Sequence, residues 1–347
     1  MRVGVVGCGY WGSNHVRVLS AMPSVAEVVL IDARTERLES VGRNYPRSLR
    51  RASLTAALDD VDAVVVATQP DAHFEVAAEA IAAGKHVLVE KPMATTKADA
   101  EEMVRLATEA GVTLAAGHTF AYNAAVWKLT SIVQRGELGR LHYLDAARLN
   151  LGLYRDDVNV LWDLAAHDIS ITTALLRDVP DRISAWGSRH TSRFGEDVAT
   201  MRMLFDRRQV ESTVRVSWLD PLKVRRTTVV GSEKMAVYND LDTDQRIKIF
   251  DRGRMQHADA PTSDPFSISY RYGDITSPHI EFGEPLRFEL EDFLRCCSSG
   301  AVPVANGLAG LTVVAVLEAS DASLRENGAL VPLELPDLAA TMIRAVA

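Results

Sequence analysis

The sequence predicts an α/β protein: a doubly wound parallel sheet at the N-terminus, then an α+β domain whose sheet is mostly antiparallel and open. Three observations carry this. Residues 1 to about 120 alternate short apolar, β-branched runs with helical stretches, the pattern of repeated β-α units. Beyond residue 120 the strand-like runs succeed one another with few helices between, as in an antiparallel sheet. The length of 347 residues, 47% hydrophobic and 24% charged, suffices for two domains with separate cores. The expected division is 1–120 and 121–347.

The first strand is the run Val3, Val5 and Val6. Gly7, Gly9 and Gly12 follow at once in G-x-G-x-x-G spacing, and a helix follows from about Ser13 to Ser20. Each glycine has a use in a phosphate-binding turn. Gly7 allows the tight bend, Gly9 lets a pyrophosphate approach the backbone, and Gly12 lets the helix pack close to the strand. The helix N-terminus, with Tyr10 and Trp11 in its first turn, offers free N–H groups and a partial positive charge. A second apolar strand, Val28 to Ile31, ends in Asp32, twenty residues after Gly12. An acid there can hydrogen-bond both ribose hydroxyls of an adenosine, and together these features predict dinucleotide binding. Asp32 favours NAD, because its charge would repel a 2′-phosphate. Arg34 and Arg37 leave NADP open.

The remaining N-terminal elements continue the alternation. A helix is expected over 34–44, a strand over 62–68, a helix over 71–83, a strand over 86–89, a helix over 97–110 and a strand over 113–116. In a doubly wound sheet the ligand crevice lies at the carboxyl ends of the strands. That end carries Thr68, Gln69 and Pro70 with His73 beyond them, then Glu90, Lys91 and Pro92, and then His118. All are candidate cofactor contacts. His118 can equally be a satisfied structural histidine. In the second domain the expected elements are a helix over 124–134, a strand over 141–149, a helix over 163–176, and strands over 182–190, 199–205, 209–218, 226–230 and 246–250. A polar, irregular segment over 251–283 follows, either functional or an oligomer arm. Helices over 285–298 and 307–326 close the domain.

The net charge of −8 argues against a general nucleic-acid binder, which needs basic surface. No apolar run approaches the roughly 20 residues that span a bilayer, and a core strand beginning at residue 3 leaves no room for a signal peptide. Three cysteines, with Cys296 and Cys297 adjacent, fit a reduced, cytoplasmic setting. No metal-ligand spacing is visible, so no metal is expected.

Two groups carry the expected chemistry. Lys91 follows Glu90 at the carboxyl end of a sheet strand, where a nicotinamide ring would lie. A lysine there can bridge cofactor and substrate hydroxyl and favour an alkoxide-like transition state. Asp163 and His167 open a helix in i, i+4 spacing, so carboxylate and imidazole share one face. An imidazole is suited to taking a hydroxyl proton near neutral pH, with the acid to orient it. Asp168 points about 100° away from His167 and is the weaker candidate. A terminal Asp cap with a buried histidine is the structural alternative.

The glycine loop, Asp32, Glu90-Lys91-Pro92 and Asp163-x-x-x-His167 together resemble the glucose-fructose oxidoreductase/inositol dehydrogenase (Gfo/Idh/MocA) family. The resemblance covers nearly the whole chain. It implies a Rossmann domain joined to an α/β domain whose open sheet often serves in oligomerisation, and hydride transfer between NAD(P) and a sugar or cyclitol carbinol or ketone carbon. It implies Lys91 as the active-site lysine, a cis Lys91–Pro92 bond, and Asp163 and His167 as the acid and the proton-carrying histidine. Many members place two glycines before this Asp; here Leu161 and Trp162 stand there, and Trp162 either fills space or walls the pocket. Residues 162–170 and 269–274 are similar to members acting on nucleotide-linked sugars.

Further substrate contacts are expected from placement. Asn150, Tyr154, Arg155 and Asn159 occupy the loop before the catalytic helix, Tyr122 follows the last strand of the first domain, and Arg155 or Arg271 can meet a substrate phosphate. The expected partners are a small-molecule sugar or nucleotide-sugar substrate and further copies of the chain, as a dimer or tetramer, with no nucleic acid or membrane. Two alternatives stay open: a non-catalytic dinucleotide-binding sensor, and an oxidoreductase of an imine, a dihydrodiol or another non-sugar substrate.

Overall fold

The computed structural model describes residues 1–152, 154–155, 158–193, 195–255 and 269–335. The chain forms two compact units. The first comprises chiefly Met1–Asn123 with Gly283–Glu318, and the second Ala124–Phe282 with Ala319–Glu334.

The first unit runs β1 (Arg2–Val6), α1 (Tyr10–Leu19), β2 (Glu27–Ile31), α2 (Thr35–Asn44), β3 (Leu49–Arg51), β4 (Ala63–Val66), α3 (His73–Ala82), β5 (His86–Glu90), α4 (Lys97–Ala110) and β6 (Leu114–Gly117). Its six strands lie in the order β3-β2-β1-β4-β5-β6, and every pairing is parallel. The order reverses between β1 and β4, the switch point at which doubly wound sheets bind ligands. Val3, Val5 and Val64 to Val66 are almost wholly buried, because helices cover both faces and a strand covered twice reads as a continuous apolar run. Helix α4 shows how locally its ends are written. Thr96 caps it by accepting the Asp99 N–H at 3.1 Å, and Gly111 ends it in the left-handed region at φ 64°. Strand β3 was not expected. It is three residues of an edge strand, two of them arginine, so it has no alternation to read, and edge charges discourage further pairing.

The second unit holds α5 (Ala124–Gln134), β7 (Leu141–Leu151), α6 (Ala166–Leu176), β8 (Arg182–Ser188), β9 (Val198–Phe205), β10 (Val210–Ser217), β11 (Leu219–Gly231), β12 (Met235–Asn239), β13 (Ile247–Met255) and β14 (Ser269–Thr276). Helices α7 (Pro285–Ser299) and α8 (Gly307–Arg325) and the short β15 (Val331–Pro332) follow. The nine-stranded sheet is ordered β14-β13-β12-β11-β7-β10-β9-β8-β15. It is antiparallel except where β10 runs parallel to β7. That parallel pair sets the loops after β7 and β10 at one end of the sheet. In β10, buried Val210, Ser212, Val214 and Val216 alternate with more open Glu211, Thr213 and Arg215, the period of a sheet covered on one face.

Three expectations are corrected. The segment 251–283 is not irregular throughout: its two ends continue β13 and form β14, paired antiparallel, while 256–268 lies outside the described residues. Its strand residues are mostly polar, which hid the pairing. Strand β12 was missed, and β11 starts well before Arg226, at Leu219. Helix α7 does not close the second domain. Leu286, Leu290, Phe293 and Leu294 pack into the core that holds Val3, Val5, Val16 and Leu19, a contact far too distant in sequence to be legible. Helix α8 is, by length and composition, apolar enough to cross a membrane, which the sequence reading passed over. However, 67% of its most apolar window is buried inside the protein, as in a core helix.

Candidate active site

In the first unit the glycine loop has the shape its spacing predicts. Gly7 is at φ 95°, and a Cβ there would come within 2.5 Å of Ala67 O; one on Gly12 would come within 1.8 Å of Gly7 O. A Cβ on Gly9 would meet only Arg37 Nη1, at 3.4 Å. The space over Gly9 is therefore open, and Gly9 caps α1 without any side-chain acceptor, so first-turn N–H groups remain for an anion. Tyr10 and Trp11 lie exposed beside it in an edge-to-face pair 5.6 Å apart.

Asp32 is buried at the end of β2, where Oδ2 accepts the Cys8 N–H at 2.8 Å and Oδ1 the Arg34 N–H at 2.9 Å. Each oxygen keeps a lone pair for a ribose hydroxyl. Arg34 Nε stands 3.5 Å and Arg37 Nη1 3.9 Å from the carboxylate. These residues fit a dinucleotide. Burial, and then the Asp32 charge, push the Cys8 thiol up to about 11, so it is not a thiolate at neutral pH.

At the ends of β4, β5 and β6 the structure separates supports from contacts. Thr68 and Gln69 keep exposure, while Pro70 is buried and opens a 3-10 turn that leads into α3. His73 is buried, its Nδ1 2.9 Å from Pro92 O and Nε2 3.3 Å from Thr68 O. Its ring joins the loops that follow β4 and β5. The Lys91–Pro92 bond is cis, as the resemblance implied. Glu90 is also a support. Its buried carboxylate lies 2.8 Å from His15 Nε2 through Oε1 and accepts the Lys91 N–H at 3.1 Å through Oε2. Burial pushes Glu90 up, but the hydrogen bond and charge of His15 and the charge of Lys91 outweigh it and hold Glu90 below the usual carboxylate range. His118 is buried as well, and burial with the Lys91 charge pushes its imidazole down to about 4 despite Glu90. The buried Tyr122 hydroxyl donates to Asp292 Oδ2 at 2.9 Å and accepts the Ala305 N–H at 3.1 Å, a tie within this unit.

Two residues here were missed by sequence reasoning. His15 lies three residues past Gly12, and Glu289 stands on the apolar stripe of α7 with Leu286, Leu290 and Phe293, which was a readable signal. Burial first, and then the Glu90 charge, push the Glu289 carboxyl well above its usual range, with the Thr119 side chain opposing. The folded protein therefore keeps a proton that the unfolded chain releases near its ordinary carboxyl pKa. Stability falls as pH rises through that window, by at most about 1.4 kcal/mol per pH unit for this one proton. Glu289→Gln is expected to flatten this slope, so that its melting temperature gains on wild type between pH 5 and 8. Equal slopes in pH-dependent thermal melts would contradict this.

In the second unit Asp163 lies in a π turn, Leu161–Ala165, that leads into α6, a feature common at functional sites. Between Leu161 and Ile171 only Asp163, Leu164 and His167 keep exposure, so acid and imidazole share the open face. Asp168, one position on, is buried against Arg148, its Oδ2 2.8 Å from Nε. This pair holds α6 to β7.

The turn itself is fixed by neighbours. Asn159 Oδ1 accepts the Leu161 and Trp162 N–H groups at 3.1 and 3.3 Å, and its Nδ2 donates to Asp321 Oδ1 at 2.8 Å. The Trp162 indole donates to Asp321 Oδ2 at 2.7 Å and its ring is buried. Asn159 and Trp162 thus hold the turn. Arg155 Nη1 stands 4.0 Å from Asp163 Oδ1. Tyr154 is partly exposed, and Asn150 Oδ1 is buried with no hydrogen-bond partner among the described residues. Arg271 is removed from this place: it sits on edge strand β14, with three strands between it and β7, its Nε 2.9 Å from Asp251 Oδ1 and an Nη donating to Glu233 O. Among the described residues no cluster of three or more His, Cys, Asp or Glu is placed to hold a metal.

The Gfo/Idh/MocA model of an oxidoreductase family with an NAD-binding Rossmann fold matches residues 1–118, and the model of the Gfo/Idh/MocA C-terminal domain matches residues 126–237. The chain belongs to the Gfo/Idh/MocA oxidoreductase family. The UDP-N-acetylglucosamine 3-dehydrogenase of Acidithiobacillus ferrooxidans is 28% identical over 316 residues, covering 91% of this chain and 94% of that protein. The myo-inositol 2-dehydrogenase of Thermotoga maritima is 25% identical over 345 residues, covering 94% and 97%. A solved structure of the Acidithiobacillus enzyme superposes with a TM-score of 0.76 at 27% identity, covering 94% of this chain and 98% of that one. The Gfo/Idh/MocA fold of this chain is thus shared over nearly its full length, Rossmann unit and mixed-sheet unit alike.

Proposed function

We propose that this Gfo/Idh/MocA protein is an NAD-dependent dehydrogenase or ketoreductase acting on a carbinol or ketone carbon of a sugar, a nucleotide-linked sugar or a cyclitol. The observation that carries this reading is the open face of the π turn and α6, where an oriented carboxylate and an imidazole four residues on keep exposure while all their neighbours but Leu164 are buried. The names of the relatives, a nucleotide-sugar 3-dehydrogenase and an inositol 2-dehydrogenase, support the substrate class.

The nicotinamide, when bound, supplies the hydride acceptor or donor. The chain supplies the rest. His167 exchanges the hydroxyl proton, Asp163 orients it and balances its charge, and Lys91 hydrogen-bonds the carbinol oxygen as negative charge grows there. Asn150, Tyr154 and Arg155 read the remaining hydroxyls or a phosphate. Gly7, Gly9, Gly12, Asp32 and the loop Thr68–Pro70 hold the dinucleotide, with Tyr10, Trp11 and Arg34 at its margin. NAD is favoured over NADP because Asp32 would repel a 2′-phosphate and already engages Arg34 and Arg37. The free thiols Cys8, Cys296 and Cys297 support a cytoplasmic setting. A panel of free sugars, cyclitols and nucleotide sugars, assayed with NAD and NADP in both directions, tests the reading. Turnover with one of these classes and a preference for NAD are expected; turnover only of an imine or dihydrodiol would redirect the substrate assignment.

Self-association is part of the same reading. Tyr143, Val230, Met235, Phe250 and Ile275 pair across five strands and so share a row on one face of the second sheet, with Trp186 on that face too. Tyr143, Trp186 and Ile275 are each about half exposed, and such an apolar patch marks an interface. Sedimentation is expected to return a dimer or tetramer, and Tyr143→Glu, which sets a charge in the row, to dissociate it. A monomeric wild type would contradict this.

A further inference from the structure

The joint between β10 and β11 is a single residue, Trp218, and its ring is almost wholly buried. Both backbone groups are pinned: its N–H donates to Asp197 O at 2.9 Å, and its C=O accepts the Gly152 N–H at 2.9 Å. The indole N–H donates to Asp163 Oδ2 at 2.9 Å. Around the ring the packing is close. A Cβ on Gly152 would stand 3.1 Å from Trp218 Cδ1, and the Tyr154 ring lies over it, centroids 5.5 Å apart and tilted 56°.

Tyr154 is itself held. Its hydroxyl lies 2.6 Å from Thr191 Oγ1, which in turn lies 3.1 Å from Asp197 Oδ2. Asp197, fully buried, accepts the N–H groups of His190, Thr191 and Ser192 at 2.7 to 3.1 Å. Burial pushes this carboxyl up, but those backbone donors outweigh it and keep it a carboxylate. A buried charge thus fixes a loop, the loop fixes Tyr154, and Tyr154 with Gly152 fixes the indole against Asp163.

The chemistry of the donor matters. Indole has one N–H, no acceptor and no titration in the accessible range. It can hold the plane of a carboxylate without neutralising it, as an arginine or lysine in its place would. Trp162 holds the other side of the same turn through Asp321.

Resting on the proposed roles of Asp163 and His167, we infer that Trp218 is a positioning residue whose contribution to turnover passes through Asp163. The test is a double-mutant cycle on the full-length enzyme. Trp218→Phe keeps an aromatic ring and removes the N–H. It is expected to lower kcat about 10-fold with cofactor affinity unchanged, whereas in the Asp163→Asn background the same change has almost no effect on kcat, because residues acting as a unit are not additive. Trp218→His, which returns a ring N–H at similar reach, is expected to recover most of the loss.

A Trp218→Phe effect of equal size in both backgrounds would overturn the inference, because it marks a packing role. So would an undiminished kcat in Trp218→Phe, or a folded His variant no better than Phe. If Phe leaves the protein unfolded in thermal melts, Trp218→Tyr, which also lacks the N–H, takes its place in the cycle. Wild-type turnover in Asp163→Asn alone would instead refute the role of Asp163, and the inference would fall with it.

Discussion

His167→Ala is expected to lower kcat by about 10³-fold, within the range for loss of a general acid–base, while NADH affinity stays unchanged. The assignment rests on which histidines are open to a substrate. His118 is buried and its imidazole is pushed down to about 4, so it stays neutral near pH 7. Burial also depresses His73, against its bonds to the Pro92 and Thr68 carbonyls. His15 is buried against Glu90. His167 alone of these four keeps exposure, on the face it shares with Asp163. Its removal takes the proton carrier and leaves the helix, whose buried Asp168–Arg148 pair does not depend on it. Steady-state kinetics with a competent substrate check this; a loss below about fivefold would contradict the role.

Lys91→Ala is expected to lower kcat/KM by about 10²- to 10³-fold, the usual effect of losing one preorganised electrostatic donor. Lys91 is placed by its surroundings. Its N–H donates to Glu90 Oε2, and Glu90 is held by His15 from α1. The two loops on either side are joined through His73. Such a frame fixes the backbone from which the Lys91 side chain extends. Lys91→Arg is expected to recover little, because a planar fork does not replace a compact point charge. Kinetics of the two variants, with cofactor titrations to show that the dinucleotide still binds, separate this from a folding defect. An Ala variant with near-normal kcat/KM would remove Lys91 from the chemistry.

How much was legible follows from where each feature is encoded. The glycine loop, Asp32 and the bounds of α4 and α5 are written in contiguous residues, by turn requirement, cap and period, and they stand as read. Asp163 and His167 both keep exposure, and Asp168 is buried against Arg148. Partners distant in sequence were not legible. Nothing local says that Asn159 and Trp162 are tied to Asp321, that Tyr122 is tied to Asp292, or that Arg271 lies on an edge strand beside Asp251. Asn159, Trp162, Tyr122 and Arg271 each meet a polar partner supplied by another part of the chain, as polar groups withdrawn from water generally do. Trp218 was read only as a strand end, since its role depends on β10 running parallel to β7. Glu289 could have been found, as an acid on an apolar helical stripe.

The most direct test of the central claim is transfer of the hydrogen itself. The protein is incubated with NAD and a sugar or nucleotide sugar deuterated at its carbinol carbons, and both products are weighed by mass spectrometry. The account predicts one deuterium on the nicotinamide for each keto sugar formed, with both products appearing about 10³-fold more slowly in His167→Ala. Tight NAD binding with no deuterium transferred from any sugar or cyclitol would contradict it, and would leave a dinucleotide sensor as the better reading of the same fold.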